Sequence, residues 1–259
     1  SRMNRDGTYT AQELMVAAAA RQIRDGELVF VGMRLPLLAF ALAKRTHAPA
    51  AIGLFECGLI RDEPAPELLY TMSDPPNIAG ALWSTRMINV MALLQQGAVQ
   101  LGILGGAELD RFGNLNTSYI GSRERPVTKL PGSGGAADIA SLAGRLLIVM
   151  QHERRRFKER VDYVTSPGYG EGGDWRQRVG LPGGGPAVIV TTLGIFSFDC
   201  NTKEVILASY HPGITLDKVR QQTGWAIRVS PDVHETPPPT EEELGIIRHY
   251  DPHGFWTGQ

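Results

Sequence analysis

Leu28-Val29-Phe30-Val31, Gly32-Met33-Arg34-Leu35-Pro36 and Ala51-Ile52-Gly53-Leu54-Phe55 decide how this chain is read. The first run is apolar without alternation, which suits a short strand of a parallel sheet covered on both faces. The second turns into a helix that tolerates Pro36 in its first turn and carries Leu38 and Leu42 on its apolar face. That helix ends near His47-Ala48-Pro49, and the third run is the next strand. Strand, helix, strand over so few residues is a β-α-β unit, for which a right-handed crossover is expected. The fold class that follows is α/β, an open mixed, mostly parallel sheet flanked by helices.

Working outward from that unit, Thr10-Ala11-Gln12-Glu13 reads as a capping box opening a helix that runs to Asp25-Gly26. Ser1-Arg2 looks like an expression-tag scar, and residues 1–9 form a lead-in. Downstream, Pro64, Pro66, Pro75 and Pro76 forbid a regular element between Asp62 and Ser84, and so long a loop points to function or a partner. A helix is expected over 87–96, a strand over 99–104, a helix from about Ala136 to Ala143 and a strand over 146–150. A glycine-rich loop, Ser166 to Pro186, precedes strands at 187–192, 195–198 and 205–210, which read as hairpin-like. The end holds a helix at 216–222, a strand at 226–229, the break Pro237-Pro238-Pro239 and a helix from Thr240. A single domain over 1–259 is the simplest reading.

The 259 residues are 42% hydrophobic and 20% charged, as in ordinary globular proteins. A formal net charge of −1 gives no general attraction to nucleic acid or anionic lipid, and no apolar run is long enough to span a bilayer. Two cysteines, Cys57 and Cys200, cannot build a disulfide framework, so a reducing cytoplasm is the expected location. The 30 glycines cluster in loops, which suggests a site lined by backbone.

Chemistry concentrates at Glu56-Cys57-Gly58, where an apolar strand delivers a carboxylate onto a small-residue turn. Ligands of open α/β sheets gather at such strand ends. An isolated glutamate after a strand is commonly just a solvated loop residue, but confinement at a strand end favours Glu56 as a nucleophile toward activated acyl carbons. Cys57 competes as a thiol, yet no basic residue adjoins it, which favours a packing role. Pro131-Gly132-Ser133-Gly134-Gly135-Ala136 lacks the Lys-Ser/Thr ending of a phosphate loop, so it is either a flexible turn or a run of N–H groups suited to an anion. His152-Glu153-Arg154-Arg155-Arg156 has no second histidine four residues on, so no metal site is expected. With Lys158 and Arg160 it reads as a solvated basic helix face, or a dock for an acidic ligand or a partner.

Several stretches together resemble the beta subunits of class I CoA-transferases, such as the beta subunit of glutaconate CoA-transferase. They are Gly32 to Pro36, Glu56-Cys57-Gly58, Gly105 to Asp110 with Gly113-Asn114-Leu115-Asn116, Gly132 to Ala136, Gln151 to Glu153, Val161 to Gly168, and Gly180 to Gly183. The resemblance implies an enzyme whose glutamate, here Glu56, attacks an acyl-CoA thioester and carries CoA as a glutamyl thioester. It implies oxyanion or CoA-binding roles for Ser133, Gly134 and Gly135 and for Asn114 and Asn116, which lie in a motif near the same cleft. Coenzyme A is then a substrate, no cofactor is needed, and an A (alpha) subunit completes a heterooligomer. The loops at 62–84 and 166–186 are expected near that interface. Two departures stand out. Cys57 replaces the family's serine, and Arg34 replaces a small residue in the Gly32–Pro36 turn, where it could meet a substrate carboxylate or form a structural ion pair. Retention of the glutamate favours transfer over hydrolysis or decarboxylation of a carboxylated acyl-CoA, and over a catalytically silent scaffold.

Overall fold

The computed structural model describes residues 8–258, so the expected tag scar and most of the lead-in lie outside the described residues. The chain divides into two compact units. One comprises the described residues up to Leu104 together with those from Pro237 onward, and the other is Gly105–Thr236. Among the described residues no helix is long and apolar enough to cross a membrane.

The first unit is built on α1 (Ala11–Ala20), β1 (Leu28–Phe30), α2 (Leu35–Arg45), β2 (Ile52–Phe55), β3 (Leu59–Arg61), α3 (Pro75–Ile78), β4 (Trp83–Ser84), α4 (Met87–Gln95) and β5 (Leu101–Leu104). Its strands lie in the order β5-β1-β2-β3-β4. β1 is parallel to β2 and to β5, while β2-β3 and β3-β4 are antiparallel. The expected β-α-β unit is therefore present. α2 lies close over β2, because a Cβ on Gly53 would come within 2.8 Å of the Phe40 ring.

Two expectations change here. α1 ends at Ala20, and Gly26 (φ 76) instead closes the Arg24–Glu27 turn that leads into β1. The segment 62–84 is not devoid of regular structure. Pro75 and Pro76 start the one-turn α3, where a missing N–H costs nothing, and Trp83–Ser84 pairs with β3. The buried Arg61 organises this segment by donating to the carbonyls of Glu63, Asn77, Ala79 and Pro64.

In the second unit, two ribbons come first: β6 (Glu108–Leu109) with β7 (Leu115–Asn116), and β8 (Tyr119–Gly121) with β9 (Pro126–Lys129). After α5 (Ala136–Leu142) come β10 (Arg145–Met150), α6 (Trp175–Arg178), β11 (Pro186–Thr191), β12 (Gly194–Phe198), β13 (Val205–Tyr210), α7 (Leu216–Gln222) and β14 (Arg228–Glu235). β10-β11 and β13-β14 are parallel, and β11-β12-β13 is the expected antiparallel meander. β14 runs to Glu235, beyond the expected 226–229, because the register shifts past Leu207 and the pairing resumes at Ser209 and Tyr210. The glycine-rich loop 166–186 is held by a second buried arginine. Arg176 donates to the carbonyls of Pro167, Gly168, Gly183, Ala140 and Ser141.

The chain then returns to the first unit as α8 (Glu241–Tyr250). α1 and α8 both begin in capping boxes, Thr10/Glu13 and Thr240/Glu243. Each capping glutamate also takes an arginine from the other helix or its C-terminal cap: Arg248 donates to Glu13 at 2.8 Å and Arg21, just after α1, to Glu243 at 2.6 Å. One carboxylate thus satisfies a helix start and bonds two helices.

Candidate functional site

In the first unit, Glu56 does not sit on an open loop. Glu56-Cys57-Gly58 is the turn of the β2-β3 hairpin, closed by the Gly58 N–H donating to the Phe55 carbonyl at 3.0 Å. Gly58 adopts φ 104, and a Cβ there would lie 2.3 Å from the Thr85 carbonyl oxygen, so only glycine fits. The Gly58 carbonyl in turn accepts from the Thr85 N–H at 2.8 Å. The turn therefore fixes the Glu56 backbone at the carboxyl end of β2, with the side chain half-buried. The sequence missed the hairpin because Leu59-Ile60-Arg61 is too short to announce a strand.

Cys57 points its thiol at the Met72 carbonyl (3.3 Å), a contact that ties the turn to the proline-rich segment. A thiol engaged this way suits the expected packing role.

Arg34 follows β1, the parallel neighbour of β2, and is the residue before α2. It adopts φ 71 and ψ −122, a conformation that a side chain occupies only at a cost of about 1–3 kcal/mol. The exposed guanidinium lies 5.3 Å from the centre of the Trp256 ring. Among the described residues it has no ion-pair partner, so of the two alternatives the structural ion pair is replaced by a cation–π contact.

The second unit holds the other expected residues. Asn114 and Asn116 are buried, and both ends of each amide are engaged within the chain. Asn114 donates to Asp110 and to the Gly170 carbonyl, and its oxygen accepts from the N–H groups of Gly168 and Gly170. Asn116 donates to Glu108 and the Tyr119 carbonyl and accepts from the Ser118 N–H. The arc 116–118 then grips the glycine loop. The Thr117 carbonyl accepts from the Gly132 N–H, Thr117 Oγ1 donates to the Gly132 carbonyl at 2.7 Å, and the Ser118 carbonyl accepts from Leu130. Ser133 Oγ accepts from the Ala137 N–H, Gly134 is exposed with φ 50, and Gly135 is the buried residue before α5.

Sequence reasoning passed over the carboxylates beneath this arc. Glu108 is buried and pairs with the Lys158 ammonium, which also reaches Asp162 at 2.7 Å. Asp110 is held above the ordinary carboxylate range by burial, although four donors from Asn114, Phe112 and Val161 oppose the shift. Glu108 lies in a two-residue strand and Asp110 just beyond it, too short a segment to give a periodic signal.

The basic stretch also differs from expectation, since residues 151–162 form no helix. Arg154 donates to the carbonyls of Gln221 and Thr223, and Arg155 pairs with Glu153. His152 is buried face to face with Phe157, ring centres 3.6 Å apart, between the hydroxyls of Thr191 and Thr223. Burial lowers its pKa to about 3, so it is a neutral core residue.

Residues 12–222 match a family model described as coenzyme A transferase. The chain is 41% identical over 246 residues to the B subunit of 3-oxoadipate CoA-transferase from Pseudomonas knackmussii, an alignment covering 93% of this chain and 92% of that one. Its structure resembles that of glutaconate coenzyme A-transferase from Acidaminococcus fermentans with a TM-score of 0.91 and 34% identity, covering 97% of this chain and 98% of the other. It also resembles the decarboxylase AibA/AibB, with a TM-score of 0.83 and 28% identity over 96% and 99% of the two chains.

Proposed function

Because the chain belongs to the coenzyme A transferase family, we propose that it is the B subunit of a two-subunit enzyme that moves CoA from an acyl-CoA to a carboxylic acid through Glu56. The observation that carries this reading is a half-buried carboxylate fixed at the end of β2 by a turn that only glycine can close.

In the proposed reaction a Glu56 carboxylate oxygen attacks the thioester carbonyl, the C–S bond breaks and CoA leaves as thiolate, giving an acyl-glutamyl anhydride. The thiolate then attacks the glutamyl carbonyl and expels the donor's carboxylate, which leaves a glutamyl-CoA thioester. The acceptor acid regains CoA by the same steps in reverse. Every intermediate is hydrolysable, so such a site must exclude water while it holds its partners close. An ionised carboxylate suits the first step because it needs no general base.

The remaining roles differ in kind. The backbone of Ser133, Gly134 and Gly135 supplies N–H groups for an oxyanion or a CoA oxygen. Asn114 and Asn116, whose amides are engaged within the chain, serve that site by shaping the loop. In this reading Arg34 meets a carboxylate of the acid substrate, and Cys57 acts as a tether. The partner is an A-type subunit, as the subunit names of the relatives suggest.

The test is turnover by the complex with the cognate A subunit, using an acyl-CoA with and without an acceptor acid. Transfer requires the acceptor and disappears in Glu56→Ala. Many turnovers without acceptor would instead favour hydrolysis or decarboxylation, the reading that the likeness to a decarboxylase supports.

A further inference from the structure

Between Asp74 and Glu108 the only charged residue is Arg86, in a chain that is 20% charged. A stretch this apolar belongs inside a protein, yet much of it lies on the surface. Ile78, Leu82, Trp83, Met87 and Ile88 are all exposed, Trp83 by 48% and Ile88 by 67%. α4, with the sequence MINVMALLQ, buries Val90 and Leu94 and has no polar face to offer solvent beyond Asn89 and Gln95. Helices apolar on nearly all sides are normally covered on all sides. β4 adds a second unprotected feature, since it is the last strand of its order and both its residues are exposed. Edge strands are usually guarded by charge, proline or a covering element, and Trp83–Ser84 has none of these in its own sequence.

We propose that residues 78–88 are the docking surface for the A subunit, which covers the outer side of β4 and the first turn of α4. This inference rests on the two-subunit reading above. Three features fit that occupant. The five side chains leave roughly 500 Å² of apolar surface uncovered, at the upper end for a monomer and a large share of the roughly 800 Å² per partner that stable complexes bury. Arg86, exposed at the start of α4 with no ion pair among the described residues, asks the partner for a carboxylate set in an otherwise apolar face. The surface is also continuous with the reactive turn, because Thr85 donates to the Gly58 carbonyl and Gly58 packs against the backbone of Thr85–Met87. A subunit seated on 78–88 therefore presses on the hairpin that holds Glu56, so docking and completion of the site become one event.

The test uses the full chain with its cognate A subunit and reads binding, not turnover. Hydrogen exchange on the wild-type chain should show the amides of 78–89 protected when the A subunit is added. Ile88→Glu and Arg86→Glu should each weaken the complex at least tenfold in titration. Val127→Glu, at an apolar residue 81% exposed outside the patch, should bind as the wild type does. Unprotected 78–89 amides in a formed complex would overturn the proposal. So would undiminished affinity in both patch variants, or a homodimer through this patch that persists when the A subunit is present. Glu56→Ala should still bind the A subunit. If the complex forms through 78–88 but no CoA transfer occurs in the wild type, the docking surface stands and the chemistry falls.

Discussion

Glu56 stands on a three-residue turn whose backbone is pinned by Gly58 while its side chain is left half-buried. Asn114 and Asn116, in the other unit, are buried, with both amide ends bonded to the chain around them. In the first region backbone hydrogen bonds and a glycine set the turn that carries one polar side chain. In the second, buried polar side chains hold the backbone. Under the proposed function the difference separates reactivity from architecture: the carrier of CoA sits on a turn set by its main chain, and the asparagines hold a loop through their side chains. Partly satisfied buried networks are costly, so the second region should dominate stability and the first should dominate turnover.

The largest expected effect lies in the first region. Glu56→Ala should lower transfer by about 10⁴-fold or more while leaving the melting temperature close to that of the wild type, as steady-state kinetics and thermal unfolding would show. A large loss of stability in that variant would erase the contrast.

The second expectation uses pH. Burial lowers the pKa of His152 to about 3 and that of His211 to about 4, from 6.5. The unfolded chain binds these protons below about pH 6.5 and the folded chain does not, so stability is complete above that pH and falls as pH drops toward 4. Each histidine can contribute up to roughly 3 kcal/mol to that fall. His152→Gln should flatten the slope in urea titrations run between pH 7 and 4.

Next comes Asn114→Ala, which strips two donors from Asp110 and Gly170 and an acceptor from Gly168 and Gly170. It should cost about 2–3 kcal/mol in chemical denaturation. The smallest effect belongs to Cys57→Ser. A hydroxyl can also donate to the Met72 carbonyl, so turnover should change less than tenfold and stability by under about 1 kcal/mol. Abolished turnover in Cys57→Ser would move the chemistry from the carboxylate to the thiol.

Much of this was legible in the residues because it depended on local rules. The β1-α2-β2 unit, the capping box at Thr10 and the meander β11-β12-β13 each follow from apolar runs and turn residues within a short window. Glu56 was legible as a carboxylate at a strand end. What stayed hidden depended on distant partners. Nothing in the sequence near Arg61 or Arg176 says that a buried guanidinium will gather the carbonyls of an irregular loop. The short pairing of β3 and β4 could not be seen, since two or three residues carry no periodicity. Arg34 showed up as an unusual side chain in a small-residue turn, but its positive φ and its place over Trp256 needed coordinates.

The most direct test of Glu56 as the carrier of CoA is intact-mass analysis of the complex with its A subunit after addition of an acyl-CoA. The account predicts a covalent CoA adduct on this chain that maps to Glu56, is cleaved by hydroxylamine, and is absent from Glu56→Ala. A complex that turns over with no adduct on Glu56, or with the adduct kept in Glu56→Ala, would contradict it.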